Sequence, residues 1–288
     1  MSEAAVSNRN GKHPIAMAFQ SITSSSSSTT SCSSSSIKTK ILELSWRQEH
    51  NHSKSYPFRD SICRPSSTTA EPLEIRLEQQ QCGEQNGTGT GAVVWNAAHV
   101  LGSFMCKESR TRPRDDPLIP PRGRVCDLGC GTGLTGLVAA ALQEPEGEVC
   151  FTDIGKVLEL TQTNIDSCFS RNWARTPWAG SKNTLVQEYW WGSGTLGKKG
   201  FDIILIADCI LPKLYPIGPL VDAIDELLTD DGSAFVSYEH RTWFEFDPAD
   251  KFKELCVEKG LEVVEVAEDR LHEVYRGEDI FVWQVKRA

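Results

Sequence analysis

Between Arg124 and Gly133 a short apolar stretch, Arg-Val-Cys-Asp-Leu, runs straight into Gly-Cys-Gly-Thr-Gly, and from there into the apolar segment Leu134–Leu142. A strand that ends in glycines and opens a helix restricts the possible folds more than any other feature of this chain. Glycines let the main chain approach a ligand with no side chain in the way, and the helix start presents unpaired amides to it. Turns of this kind belong to sheets in which strands and helices alternate.

The rest of the chain follows that alternation. The spacing of apolar residues predicts strands at Arg124–Leu128, Glu148–Thr152, Thr184–Glu188, Phe201–Ile206, Ser233–Tyr238, Leu261–Ala267 and Ile280–Val285. Helices are expected at Leu134–Leu142, Val157–Cys168, Tyr215–Leu228 and Ala249–Lys259, with Asp230-Asp231-Gly232 as the turn after the third. Upstream, Leu73, Ile75 and Leu77 alternate with polar residues as a half-buried strand does. A helical segment, Val93–Phe104, follows the glycines at 87, 89 and 91. This pattern predicts an α/β fold, a Rossmann-like, seven-stranded, mostly parallel sheet with helices on both faces. Ligands of such sheets bind outside the carboxyl ends of the strands.

The first part of the chain is different. Ser24–Ser36 is serine interrupted only by Thr29, Thr30 and Cys32, and such a stretch cannot bury enough apolar surface to offset chain entropy. Residues 1–71 are therefore expected to be a disordered tail, and 72–288 a single domain. Because the tail is basic and poor in acids before Glu43, it also has the composition of a transit peptide to a plastid or mitochondrion. The alternative is a cytoplasmic protein with a disordered extension, and cytoplasm is the expected location.

The net charge of −9 comes without any block of lysine and arginine, so nucleic acid is not expected as a partner. The longest apolar runs fall far short of a membrane span. The 10 cysteines contain no CxxC pair, which suits reduced thiols. Cys126 and Cys130 have no second ligand pair after them, so no metal site is expected. A monomer is expected.

Gly131, Gly133 and Gly136 also satisfy the spacing of dinucleotide-binding loops, and Asp153 stands some 20 residues on, where those proteins hold a ribose. Asp127 favours a different cofactor. A carboxylate two residues before the first glycine would repel a pyrophosphate, whereas it could hold an ammonium group through ordered water. The expectation is therefore S-adenosyl-L-methionine, with Asp127, Gly129, Gly131 and Gly133 beneath it and Asp153 on its ribose hydroxyls.

Against this background, Gly91–Ala98, with its Val-Trp-Asn-Ala-Ala core, resembles the "VW-x-AA" element of the methyltransferase-21-like protein-lysine methyltransferases. Ala207-Asp208-Cys209-Ile210 is also similar to that group. Tyr238-Glu239-His240-Arg241 and the late stretches His272–Arg276 and Glu278–Ile280 look most like its valosin-containing-protein lysine methyltransferase branch. The resemblance covers residues 73–286. It implies a class I methyltransferase fold and a lysine side chain of a non-histone protein as acceptor. It further implies that Trp95 borders the methionine end of the cofactor, Trp191 its adenine, and Ala207 and Asp208 the passage to the acceptor. Asp208 and Glu239 are then the expected catalytic pair.

The family usually has Asp-x-x-Tyr after the fourth strand. This chain has Leu211 at the tyrosine position, with Tyr215 one turn later as a candidate to replace the missing ring. Other nitrogen acceptors (a histidine ring, a protein N-terminus, a small molecule) stay open, as does a pseudoenzyme that binds cofactor without turnover.

Overall fold

The computed structural model describes residues 54–80, 88–170, 180–193, 196, 200–212, 214–242 and 246–288. Its strands are β1 (Ser55–Ile62), β2 (Glu71–Glu78), β3 (Arg124–Leu128), β4 (Glu148–Asp153), β5 (Thr184–Glu188), β6 (Phe201–Ala207), β7 (Leu228–Glu239), β8 (Leu261–Glu265) and β9 (Ile280–Arg287). Its α-helices are α1 (Asn96–Thr111), α2 (Leu134–Leu142), α3 (Gly155–Ser170), α4 (Ile217–Leu227) and α5 (Pro248–Glu258).

Seven strands form one sheet in the order β5-β4-β3-β6-β7-β9-β8. The pairs β3/β4, β4/β5, β3/β6 and β6/β7 are parallel, while β9 runs antiparallel to both β7 and β8. The expected mostly parallel sheet is therefore present. After β3 the chain builds outward through β4 and β5, then returns to place β6 on the other side of β3. Loops leaving the carboxyl ends of β3 and β6 part at that point, which opens a crevice between them.

Alternation along the strands assigns the two sheet faces. Val125, Val149, Phe151, Ile203, Leu205 and Phe235 pack with α1, α2 and the β1–β2 hairpin. Cys126, Leu128, Cys150, Ile204, Ile206 and Val236 pack with α4 and α5 on the other face. Cys126 and Cys130 thus belong to different clusters. The eight cysteines among the described residues are free thiols. No helix among the described residues is long and apolar enough to cross a membrane.

Three boundaries differ most from expectation. The folded body does not begin at 72: β1 pairs with β2 from Ser55↔Glu78 to Ile62↔Glu71, and Tyr56, Phe58 and Ile62 are buried beneath it. Residues 1–53 of the expected tail lie outside the described residues. The helix expected at Val93–Phe104 is α1, which starts at Asn96 and runs on to Thr111. Asp230-Asp231-Gly232 is no turn between helix and strand, because β7 starts at Leu228, which pairs with Phe201 across an irregular register. Thr229 Oγ1 donates to the Phe201 carbonyl at 3.3 Å and holds this extension in place.

Candidate functional site

The glycine loop after β3 is shaped by close approach. Gly129 and Gly131 have φ of 73° and 53°, a region that favours glycine. A methyl group at 129 would sit 2.9 Å from Cys209 Sγ and 3.2 Å from Trp191 Cζ2, and one at 131 would sit 3.1 Å from the Gly91 carbonyl oxygen. Any larger side chain would fill this cradle. Gly133 (φ 87°) caps α2.

Asp127 does not face the crevice as a solvated carboxylate. Alternation along β3 turns it with Val125 toward α2, where Thr135 Oγ1 donates to Oδ1 at 2.7 Å and the Gly136 amide donates to Oδ2 at 2.8 Å. It is 1% exposed, and desolvation pushes its carboxyl up to about 7 against the pull of those two donors. Asp153, at the end of β4, accepts the Gly131 amide at 2.8 Å and the Ile154 amide at 2.7 Å. Burial raises its pKa, and the two amides oppose that rise.

These bonds test which cofactor the cradle suits. Two amides of the loop and the first turn of α2, those of Gly131 and Gly136, are already taken by the chain's own carboxylates. A pyrophosphate would meet Asp153 there instead of a free Gly131 amide. The cradle suits a ligand that brings hydroxyls and an ammonium group, as S-adenosylmethionine does, since an accepting carboxylate oxygen has lone pairs to spare for a further donor.

Aromatic side chains surround the loop. Trp95 donates from Nε1 to the Thr90 carbonyl at 3.0 Å, the Thr90 hydroxyl meets that of Tyr215, and the Tyr215 ring lies 5.8 Å from that of Trp191. Of the tandem tryptophans, Trp190 is 59% exposed and bonds Glu188 through Nε1, while Trp191 is the one turned against Gly129. Leu211 is buried, and its carbonyl accepts the Tyr215 amide at 2.8 Å. That single turn brings the Tyr215 ring to the crevice. Burial keeps the phenol protonated, as it does the Cys209 thiol.

At the ends of β6 and β7 stands a second cluster. Ala207 closes β6, and Asp208 follows in a left-handed conformation (φ 59°). Arg241 NH1 donates to Asp208 Oδ1 at 2.8 Å and NH2 to Oδ2 at 2.5 Å. The same guanidinium reaches the Glu239 carbonyl at 2.8 Å and Glu239 Oε2 at 3.3 Å. Asn96 Nδ2, from the start of α1, lies 3.5 Å from both Glu239 oxygens. Desolvation raises the Asp208 pKa and the Arg241 pair lowers it.

The structure thus gathers Gly129, Gly131, Asp153, Trp191 and, through Thr90 and Tyr215, Trp95 around one loop. Asp208 and Glu239 are brought together by Arg241. Asp127 supports the loop from beneath. Asn96 and Thr90 were not among the expected site residues, and Tyr215 was expected there only as a stand-in for the tyrosine that Leu211 replaces. Asn96 meets Glu239 from 143 positions away and Thr90 meets Tyr215 from 125, and no local pattern announces such pairings. Among the described residues no group of three or more His, Cys, Asp or Glu could hold a metal ion.

The model of a family described as lysine methyltransferase matches residues 75–254. Among curated relatives, the chain is 31% identical over 167 residues to protein N-lysine methyltransferase METTL21A of Danio rerio, covering 57% of this chain and 65% of that protein. It is 26% identical over 153 residues to protein-lysine N-methyltransferase EFM6 of Saccharomyces cerevisiae, covering 47% and 58%. A third, protein N-terminal and lysine N-methyltransferase EFM7 of Gibberella zeae, is 26% identical over 195 residues, covering 62% and 68%. The chain spans less than two thirds of the length of the first two.

Proposed function

This chain belongs to the lysine methyltransferase family, and from that premise we propose that it methylates a lysine side chain of a non-histone protein with S-adenosylmethionine. The observation that carries this reading is the pair of carboxylates, Asp208 and Glu239, served by one guanidinium beside the glycine cradle. A pair of carboxylates at the end of the crevice suits an arriving ammonium group.

S-adenosylmethionine, when bound, supplies a methyl group activated by its positive sulfur. The residues of this chain bind and orient. Gly129, Gly131 and Gly133 let the main chain close under the cofactor, with Asp127 holding the loop to α2. Asp153 would take the ribose hydroxyls on its remaining lone pairs, Trp191 would border the adenine, and Trp95 the methionine end. Ala207 and Asp208 line the passage to the acceptor.

A free lysine is charged at neutral pH, with a pKa of about 10.4, so it must lose its proton before attack. Asp208 and Glu239 hold and orient the incoming ammonium. Exclusion of water by Trp95, Tyr215 and Trp191 favours the neutral amine. Alignment of the nucleophile is the main contribution asked of the protein. The buried Cys209 thiol stays protonated and takes no nucleophilic part.

We place the protein in the cytoplasm as a monomer, a location that the free thiols among the described residues support. The net charge of −9 favours a basic protein acceptor over nucleic acid. The branch within the family rests on the motifs at 238–241 and 272–280 alone. The relative named for both N-terminal and lysine methylation supports an α-amino acceptor as the second reading.

The test is incubation of cell lysate with isotope-labelled S-adenosylmethionine, followed by mass-spectrometric mapping of the labelled residue. A label on a lysine ε-amine supports the proposal and one on an α-amine supports the second reading. A protein that binds S-adenosylhomocysteine yet labels nothing is a pseudoenzyme.

A further inference from the structure

We propose that Trp190, Leu214 and Phe246 form an apolar ridge beside the crevice, and that this ridge receives apolar side chains of the acceptor protein close to its target lysine. The inference deepens the lysine methyltransferase reading and rests on it for the lysine.

Eight large apolar side chains are exposed among the described residues. Five of them, Ile154, Trp190, Leu214, Phe246 and Val274, lie in loops at the carboxyl end of the parallel strands, which is the crevice end. An apolar side chain is favoured out of water, so their concentration at one end marks a surface that meets a partner.

Three of the five stand in one row. Trp190 belongs to the loop after β5, which rests on the start of α4: a methyl group at Gly192 would lie 3.4 Å from Pro219 Cβ. Leu214 comes just before α4 and Phe246 just before α5. These two helices pack together on one sheet face, and each follows a strand of the parallel set, so their starts are neighbours. Packed helices lie about 8–10 Å apart. An extended peptide covers that span in about three residues.

The row adjoins the crevice through paired neighbours. Trp191 turns inward against Gly129, while Trp190 beside it is 59% exposed. Tyr215 turns inward to 5.8 Å from the Trp191 ring, while Leu214 beside it is 43% exposed. The main chain holds both arrangements. The Ser193 amide donates to the Trp190 carbonyl at 2.9 Å, and the Leu214 and Tyr215 amides both donate to the Leu211 carbonyl at 2.8 Å. Phe246, 51% exposed, directly precedes Asp247, which caps α5 by accepting the Ala249 amide at 2.9 Å. A lysine that reaches the crevice past Trp191 and Tyr215 therefore brings its own chain over this row.

The chemistry of the row defines what it takes. The acids beside it are engaged within the chain: Glu188 accepts from the Trp190 indole at 3.1 Å and the Gly155 amide at 3.2 Å, and Asp247 from Ala249. The side chains presented outward are an indole, an isobutyl group and a phenyl ring. Such a surface selects leucine, isoleucine, valine, methionine or phenylalanine next to the lysine, in preference to further charge.

The experiment offers a library of short peptides, each with a fixed central lysine and randomised flanks, to the immobilised full chain saturated with S-adenosylhomocysteine. Retained peptides are sequenced by mass spectrometry. Wild type is compared with Trp190→Ser, Leu214→Ser, Phe246→Ser and the conservative Phe246→Leu. S-adenosylhomocysteine affinity, melting temperature, sedimentation and the rate of methyl transfer into lysate protein are measured on the same samples.

The wild type should enrich apolar residues within about three positions of the lysine, by about tenfold or more. Each serine variant should lose most of that enrichment and slow lysate methylation about 3- to 10-fold, with cofactor affinity and melting temperature unchanged. Phe246→Leu should keep both. Three separate positions keep the test decisive if one variant does not fold. Absence of apolar enrichment overturns the proposal, as does enrichment that survives all three serine variants. A wild type that dimerises through this row overturns it in favour of a second copy. Peptide retention seen only after residues 1–53 are removed overturns it in favour of the chain's own N-terminal segment. If the enrichment depends on the row and no lysine is ever methylated, the ridge stands and the lysine methyltransferase reading fails. Lysine methylation at the wild-type rate in all three serine variants sinks the ridge and leaves that reading intact.

Discussion

Replacing Asp127 with asparagine should change how the stability of this protein depends on pH, and the size of the change can be worked out from its surroundings. The carboxyl is 1% exposed and titrates at about 7 rather than 3.8 because burial disfavours its charge. A carboxyl with a raised folded pKa binds its proton more tightly in the folded than in the unfolded chain. Stability from this group is therefore fully present below pH 4 and is lost as pH rises toward 7. At about 1.4 kcal/mol per pH unit over that gap, the loss comes to about 4 kcal/mol. Asparagine does not titrate, so it removes this slope.

Asparagine also presents an NH2 where Asp127 offers two acceptors, to Thr135 Oγ1 and the Gly136 amide. One buried donor loses its partner, at about 1–3 kcal/mol. The wild type should therefore be the more stable protein at pH 4, and the asparagine variant should equal or exceed it at pH 8. Urea unfolding of both proteins at half-unit steps between these limits, with the free-energy difference plotted against pH, measures this directly. A difference that stays flat, or that moves in favour of the wild type as pH rises, would refute the argument, since it would mean that the two donors outweigh burial.

Three further outcomes are expected. Gly131→Arg should abolish S-adenosylhomocysteine binding in calorimetry by filling the cradle beside the Gly91 carbonyl, and retained binding would show that the cofactor sits elsewhere. Tyr215→Phe and Thr90→Val each break the hydroxyl contact across the crevice. Each should speed S-adenosylhomocysteine release about 3- to 10-fold in stopped-flow tryptophan fluorescence, with the double variant no faster than either; additive effects would show two independent roles. Deleting residues 1–70, compared with deleting 1–53, removes β1 with the buried Tyr56, Phe58 and Ile62, and should lower the melting temperature by about 10 °C or more; equal melting temperatures would mean that β1 adds nothing to the domain.

The elements that build the sheet were legible because their apolar runs are long and uninterrupted. Phe201–Ile206 reads as a strand buried on both faces, and it forms β6, which runs one residue further to Ala207. β1 was hidden because Arg59, Asp60 and Ser61 break its apolar pattern between Phe58 and Ile62 and because Pro57 argues against a strand. An edge position in a two-stranded hairpin tolerates that proline. The glycine cradle was legible for the reason that only glycine permits its approach to Cys209, Trp191 and Gly91.

The roles of the acids were harder to read. Asp127 was expected at the floor of the site, and strand alternation, which sends it with Val125 toward α2, already contained the correction. The pairing of Asp208 with Arg241 depends on how the ends of β6 and β7 meet, as do the contacts of Asn96 and Tyr215. Such geometry comes from sheet register and leaves no trace in local composition.

The left-handed backbone at Asp208 also bears on how this position can drift over generations. Glycine, asparagine and aspartate tolerate that conformation far better than other residues, so the main chain alone admits about three choices there. The demand for negative charge opposite Arg241 removes glycine and asparagine, while glutamate keeps the charge and loses the local tolerance. Homologues that vary at this site should therefore change in company with position 241, and a saturation library should recover aspartate almost alone under selection for methyl transfer, but a small folded set under selection for stability.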